Sequence, residues 1–134
     1  MRFRSETALQ WWLERLDKRQ VRHHGIVERD GRRTLRFEDP EGQRFVLVDD
    51  GAIGDANPWG RSPVPAEQQI RGLGPISISV PKLDRTDRVL QKLLNMRPAR
   101  QYEALGGSTA HVYEMGPGGP AAELHVLVEP DLPP

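Results

Sequence analysis

The strongest constraint on this chain is a pattern that occurs twice. A helical stretch and three β-rich runs occupy residues 1–50. A strand, a helix and three further β-rich runs occupy residues 75–130. An offset of roughly 78 residues aligns Glu6 with Asp84, Leu16 with Leu94, Val46 with Leu124 and Val48 with Val126. Few side chains are identical across that alignment, so the repeat is one of pattern. It predicts an α+β fold of paired βαβββ modules, the first lacking most of its opening strand and keeping Arg2-Phe3-Arg4 as a remnant. The expected organisation is an incomplete module over 1–50, a crossover over 51–74 and a second module over 75–130.

In the first half, Leu9, Trp12, Leu13 and Leu16 fall at i, i+3, i+4 and i+7, one face of an amphipathic helix. Ser5 suits its N-cap, and Glu6 suits the positive end of the helix dipole. Strands are predicted over Arg22–Arg29 and Arg33–Glu38, joined at Asp30-Gly31, and over Arg44–Asp49 after the Asp39-Pro40-Glu41-Gly42 turn. The apolar run Phe45–Val48 implies burial on both faces. Residues 51–74 are rich in glycine and proline and lack periodicity, with Pro58-Trp59 and Ile70 as the expected anchors.

In the second half, Pro75–Val80 alternates strictly and predicts a strand with one buried face. A helix capped at Asp84 follows, with Val89, Leu90, Leu93 and Leu94 as its apolar stripe. Strands over Ala99–Leu105, Thr109–Met115 and Ala122–Glu129 complete the copy, with turns at Gly106-Gly107 and at 116–120. Residues 130–134 read as a stop or as the start of another linker.

Composition removes whole classes of function. Nineteen basic residues balance nineteen acidic ones, which leaves no long-range field to gather nucleic acid or anionic lipid. Cysteine is absent, so there is no disulfide framework, thiolate metal site or cysteine nucleophile, and a reducing cytoplasm fits. No apolar run approaches the roughly 20 residues that a membrane-spanning helix needs.

A strand ending Arg36-Phe37-Glu38-Asp39-Pro40-Glu41-Gly42 is followed by Pro58-Trp59 and by Gln69-Ile70-Arg71-Gly72-Leu73-Gly74. With these motifs the chain resembles the ring-cleaving dioxygenases of the glyoxalase/bleomycin-resistance/extradiol-dioxygenase (vicinal oxygen chelate) superfamily. The resemblance covers nearly all of this chain but only the middle of a longer member. It implies glyoxalase-like βαβββ modules, here most of the second and all of the third of four. It also implies chemistry at Fe(II) or another divalent metal. The family's ligands are a His on a module's first strand and a Glu on its last. Carried over residue by residue, the first-strand position falls at Gly74 and Pro75, and the last-strand position at Val46 in one module and at Leu124 or Val126 in the other. None of these ligates. The expectation is that other modules hold the metal, and that this chain alone carries neither a complete iron site nor catalytic or cofactor-binding residues.

The residues left as metal candidates are His111, His125 and Glu123, with Glu114 close in sequence. His111 and His125 lie on strands that could be neighbours. Alternation puts His125 on the face opposite Leu124 and Val126, which is the wrong face if those two mark the cleft. His23 and His24 are adjacent on one strand and point to opposite faces, so they cannot share an ion. Gln69 reads as a linker residue, Trp12 as core, Trp11 as half exposed and Trp59 as an anchor. The 116–120 loop lacks the Lys-Ser/Thr of a phosphate loop, and no serine has a Gly-x-Ser-x-Gly setting.

Two functions follow. The chain is part of, or related to, an Fe(II)-dependent dioxygenase acting on hydroquinone- or catechol-type rings. Alternatively it is a metal-free module that binds a small aromatic or hydrophobic molecule or serves assembly. The expected partners are a second copy of the chain or further modules of the same protein, with neither nucleic acid nor membrane. A truncated first strand exposes a sheet edge, which predicts a dimer, with strand exchange as one route to it.

Overall fold

The computed structural model describes residues 1–132; Pro133 and Pro134, the end of the expected terminal linker, lie outside the described residues. The chain divides into two compact units, Met1–Leu73 and Gly74–Pro134. Among the described residues no helix is long and apolar enough to cross a membrane.

The first unit contains β1 (Arg2–Phe3), α1 (Glu6–Lys18), β2 (His23–Arg29), β3 (Arg32–Glu38) and β4 (Arg44–Asp49). The sheet order is β1-β4-β3-β2, with β1 parallel to β4 and the other pairs antiparallel. Ser5 is extended and its Oγ accepts from the Ala8 N–H at 3.3 Å, the predicted cap. The helix closes with the Val21 N–H on the Leu16 carbonyl and the Gln20 N–H on that of Asp17, with Gln20 in the left-handed region. Leu9 and Leu16 of α1 pack with Phe3, Leu35 and Leu47 in a buried cluster, and Trp12, Leu13 and Phe37 lie against it. Asp30 and Gly31 both have positive φ, as a tight two-residue hairpin turn requires.

The second unit contains β5 (Ile76–Val80), α2 (Leu83–Lys92), β6 (Arg97–Glu103), β7 (Thr109–Glu114) and β8 (Glu123–Val128), in the order β5-β8-β7-β6. The connectivity repeats that of the first unit, β5 lying parallel to β8 as β1 lies to β4. Its core joins Leu90, Met96, Tyr113, Leu124 and Val126, flanked by Val80 and Leu83.

Three expectations about this unit do not hold. Helix α2 begins at Leu83 with Lys82 in the cap position, and no side chain caps it; Asp84 lies inside the first turn. Starting one residue early turns Leu83 toward Val80 and the core, which burial favours over an Asp cap. Of the expected stripe only Leu90 is buried, and Val89, Leu93 and Leu94 are exposed. The inward positions are Leu83, Asp87 and Leu90, with the Tyr113 hydroxyl donating to Asp87 at 2.7 Å. Strand β5 also lacks a buried face: Ile76 and Ile78 are exposed on a strand at the edge of the sheet.

The segment after β4 is irregular apart from a 3₁₀ turn at Ala66–Gln68, yet it is firmly tied. The buried Asp50 carboxylate takes Arg2 Nη1 at 3.1 Å and Arg71 Nε at 3.0 Å. Arg71 Nη2 also donates to the carbonyls of Ile53 and Gly54. A Cβ on Gly72 would lie 2.7 Å from an Arg2 guanidinium nitrogen, so any side chain there requires Arg2 to shift from its place beside Asp50.

Candidate functional site

Strand pairing fixes which side chains of the second sheet share a face. Leu124 and Val126 of β8 pack with Leu90 of α2, so Glu123, His125 and Leu127 point to the face turned away from the helix. Opposite them on β7, His125 pairs with Val112 and Glu123 with Glu114. One strand further, Arg100 pairs with Val112 and Tyr102 with Ala110. Arg100, Tyr102, Glu114, Glu123 and His125 therefore share one face of three adjacent strands, over the small buried side chains of Ala110 and Val112.

These polar groups form a connected network. Tyr102 Oη lies 2.9 Å from His125 Nδ1, and His125 Nε2 lies 3.2 Å from Glu123 Oε2. Arg100 donates to Glu123 Oε1 at 3.0 Å and lies 3.8 Å from Glu114. Glu123 and His125 are buried. An ionised Glu123 only accepts, so the His125 ring donates from Nε2, and in the neutral ring Nδ1 is then the acceptor for the Tyr102 hydroxyl. The order carboxylate, imidazole, phenol holds the ring in one tautomer and one orientation. The Glu114 carboxylate is wrapped by the 116–120 loop: the Gly119 N–H donates to it at 3.3 Å, and a Cβ on Gly118 would meet its Oε2 at 2.7 Å.

Of the three metal candidates, the fold brings together Glu123 and His125 and separates His111. His111 pairs with Val126 and shares the helix-side face with Tyr113, whose hydroxyl reaches Asp87 of α2. The neighbouring strands were anticipated; the register between them puts the two imidazoles on opposite faces. The register also corrects the alignment of the two copies. In the first sheet it is Leu47 that packs under the helix, whereas in the second it is Leu124 and Val126. Leu47 therefore matches Val126, and Val46 matches His125, one residue away from the expected pairing. A longer turn between β7 and β8 than between β3 and β4 accounts for the slip. In the second module, then, the residue that corresponds to Val46 is His125 and not Leu124.

A dioxygenase-type metal needs three convergent ligands with open coordination positions. Within the second unit this face supplies two, and both ring nitrogens of His125 and both oxygens of Glu123 already hold partners. On β5 the residue beside His125 is Ser77. Among the described residues of this unit, the face brings two candidate ligands together, Glu123 and His125, where a dioxygenase-type metal needs three.

The remaining candidates have local roles. His23 lies 2.9 Å from Asp17 and accepts from the Gly25 N–H, while His24 is exposed. Gln69 is more than a linker residue: it accepts from the Trp59 N–H at 2.7 Å and donates to the carbonyls of Trp59 and Val64. It is the Trp59 backbone that is anchored, and its ring is exposed. Trp12 donates to the Gln68 carbonyl at 2.7 Å. Arg100 and Tyr102 were not anticipated. Their signal was the polar i, i+2 spacing on an edge strand, obscured by the bulge between Pro98 and Arg100.

A Bacillus subtilis protein named as a ring-cleaving dioxygenase, MhqA, is 41% identical over 127 residues, 94% of this chain and 40% of that protein. The chlorohydroquinone/hydroquinone 1,2-dioxygenase of Sphingobium indicum is 30% identical over 125 residues, 92% of this chain and 37% of that enzyme. The chain thus spans well under half the length of these curated relatives. Among solved structures, a Bacillus subtilis protein named as a dioxygenase has a TM-score of 0.73 at 23% identity, over 94% of this chain and 38% of the other. Glyoxalase I of Zea mays has a TM-score of 0.63 at 15% identity, over 98% of this chain and 42% of the other. At those identities the likeness shows the fold alone. No protein-family model matches the chain.

Proposed function

Because the chain belongs to the glyoxalase/bleomycin-resistance/extradiol-dioxygenase superfamily, we propose that it serves as the central pair of modules of an Fe(II)-dependent dioxygenase acting on hydroquinone- or catechol-type rings. The observation that carries this reading is the Bacillus match, which runs through nearly the whole chain while covering 40% of the relative. Bound Fe(II) would supply oxygen activation and substrate chelation in such an enzyme. The residues of this chain supply scaffold: they fix the sheets, hold the crossover and keep a polar network in place. No step of ring cleavage is assigned to them. A cytoplasmic setting belongs to the same proposal and agrees with the cysteine-free sequence.

One observation favours a second reading, a metal-free module. Glu123 and His125 are hydrogen-bonded to Arg100, to Tyr102 and to each other, which suits a structural network.

Grafting separates the two readings. Residues 1–130 replace the matching segment of the Sphingobium enzyme, and Fe(II)-dependent consumption of hydroquinone is followed. The scaffold reading predicts a folded, active graft. A graft that folds and loads iron but leaves hydroquinone untouched contradicts it.

A further inference from the structure

Helix α2 starts at Leu83 and leaves one end of the sheet beneath it uncovered. Register puts Thr109 beside Val128 and His111 beside Val126, in the row that continues to Tyr113 and Leu124 under the helix. Past the covered part, Thr109, His111 and Val128 border a cleft of about 630 Å³. Its other walls are the first residue of α2, the turn between β6 and β7, and the residues that follow β8. All of them belong to the second unit, and the cleft opens on the face of the sheet opposite Glu123 and His125.

Backbone bonds fix these walls. The Ala104 N–H donates to the Ser108 carbonyl at 2.8 Å, and the Gly107 N–H to that of Ala104 at 3.0 Å. The Glu129 N–H donates to the Val80 carbonyl at 2.9 Å. A cleft built on closed turns needs little ordering when it binds, and its volume is that of an ordinary small-molecule site, about 300–1,000 Å³.

The lining selects by charge. Leu83, Leu105 and Val128 form the apolar wall, and neither lysine nor arginine lines the cleft. Its formal charges are the carboxylates of Glu129 and Asp131, and neither forms an ion pair with a described residue. Together with His111 they are not gathered as the ligands of one ion must be, which disfavours a metal. The Ser108 hydroxyl oxygen is buried and has no hydrogen-bond partner among the described residues. Such a hydroxyl breaks no bond when it turns about χ1 toward a ligand, and it gains one there.

We propose that this cleft binds a small organic amine, an ammonium group carried on an apolar or aromatic body. The ammonium lies against Glu129 and donates to the Ser108 hydroxyl, and Asp131 adds a second negative charge. The body of the ligand covers Leu83, Leu105 and Val128. The inference is independent of the proposed ring cleavage and needs no metal.

Amide chemical shifts of the full 134-residue chain test it, followed during titration with phenethylamine, phenethyl alcohol and hydrocinnamate. These probes share a phenyl body and differ in the charge of the head group. The expected result is saturable shifts confined to residues 83, 105–111 and 128–131, with the amine bound tightest and the carboxylate weakest. Glu129→Gln should weaken the amine roughly fivefold and leave the alcohol unchanged. Ser108→Ala should weaken the amine at an unchanged urea midpoint, because its hydroxyl bonds nothing in the free chain. The proposal is overturned by the absence of a saturable shift with the amine, by a carboxylate bound as tightly, or by shifts centred on Glu123 and His125. It is also overturned if Glu129→Gln prefers the amine as strongly as wild type does, or if Ser108→Ala binds it equally well. The comparison of probes uses the unmutated chain, so it stands even where a variant folds poorly.

Discussion

His125 Nε2 and Glu123 Oε2 lie 3.2 Å apart, two residues from each other on the same strand and the same face. Side chains at i and i+2 of a strand stand side by side, so local geometry alone brings the imidazole to the carboxylate. The neighbouring strands then add Arg100 on one side and Tyr102 on the other. Every member of the chain of contacts depends on the next.

Tyr102→Phe deletes one hydroxyl and leaves His125 Nδ1 without its donor. A buried acceptor left unsatisfied costs about 1–3 kcal/mol, read as a lower urea midpoint with an unchanged slope. Glu123→Gln should cost more, because it removes the negative partner of Arg100 and of the imidazole together. Equal or smaller losses in Glu123→Gln would show that the carboxylate charge is not what holds the network.

The link between Tyr113 and Asp87 makes stability depend on pH at both extremes. The Asp87 carboxyl is held below its usual range, first by the Tyr113 hydroxyl and then by the Gln91 amide. A depressed carboxyl stabilises the fold above the unfolded pKa, about 3.9, and loses that contribution as pH falls through the folded value. Tyr113 is pushed up, by burial first and then by its bond to Asp87. Its contribution is present below the unfolded value of about 10 and is lost as pH rises above it. Asp87→Asn should therefore flatten the acid limb of a stability profile, and Tyr113→Phe the alkaline limb. Limbs identical to wild type in both variants would contradict the assignment.

The clasp on the crossover predicts two sizes of effect. Asp50→Asn leaves two part-buried guanidinium groups without their buried carboxylate and should cost about 3 kcal/mol. Gly72→Ala forces a methyl against Arg2 at a φ of +152° and should cost about 1–3 kcal/mol. Thermal melts rank the two, and Gly72→Ala at wild-type stability would mean that Arg2 moves aside freely.

The helix caps give predictions of opposite sign. Ser5→Ala removes the bond to the Ala8 N–H and should destabilise by about 1 kcal/mol. Lys82→Ser places a capping hydroxyl where α2 has none and should stabilise by about 0.5–1 kcal/mol. Denaturant titrations of both variants check the pair.

The fold was legible where local physics decides it. Leu9, Trp12, Leu13 and Leu16 marked α1, Ser5 its cap, Asp30-Gly31 a hairpin, and the repeat of helix and strands the paired modules. It was less legible where two local preferences competed. Asp84 suited a cap, but burying Leu83 moved the start of α2. Alternation in β5 promised a buried face, yet a strand at the sheet edge leaves Ile76 open. The site was the hardest part, because it depends on register. His111 and His125 are separated by which residues pair across β7 and β8, and that follows from the turn between them. Arg100 and Tyr102 join His125 and Glu123 only once the bulge in β6 is known.

The central proposal is that this chain supplies structure to a dioxygenase and that Glu123 and His125 serve a hydrogen-bonded network rather than a metal. Elemental analysis of the full chain, purified without oxygen in the presence of added Fe(II), tests it most directly. The account predicts far less than one metal per chain, with the same trace amount in His125→Ala. Near-stoichiometric iron that is lost in His125→Ala would contradict it and make Glu123 and His125 ligands.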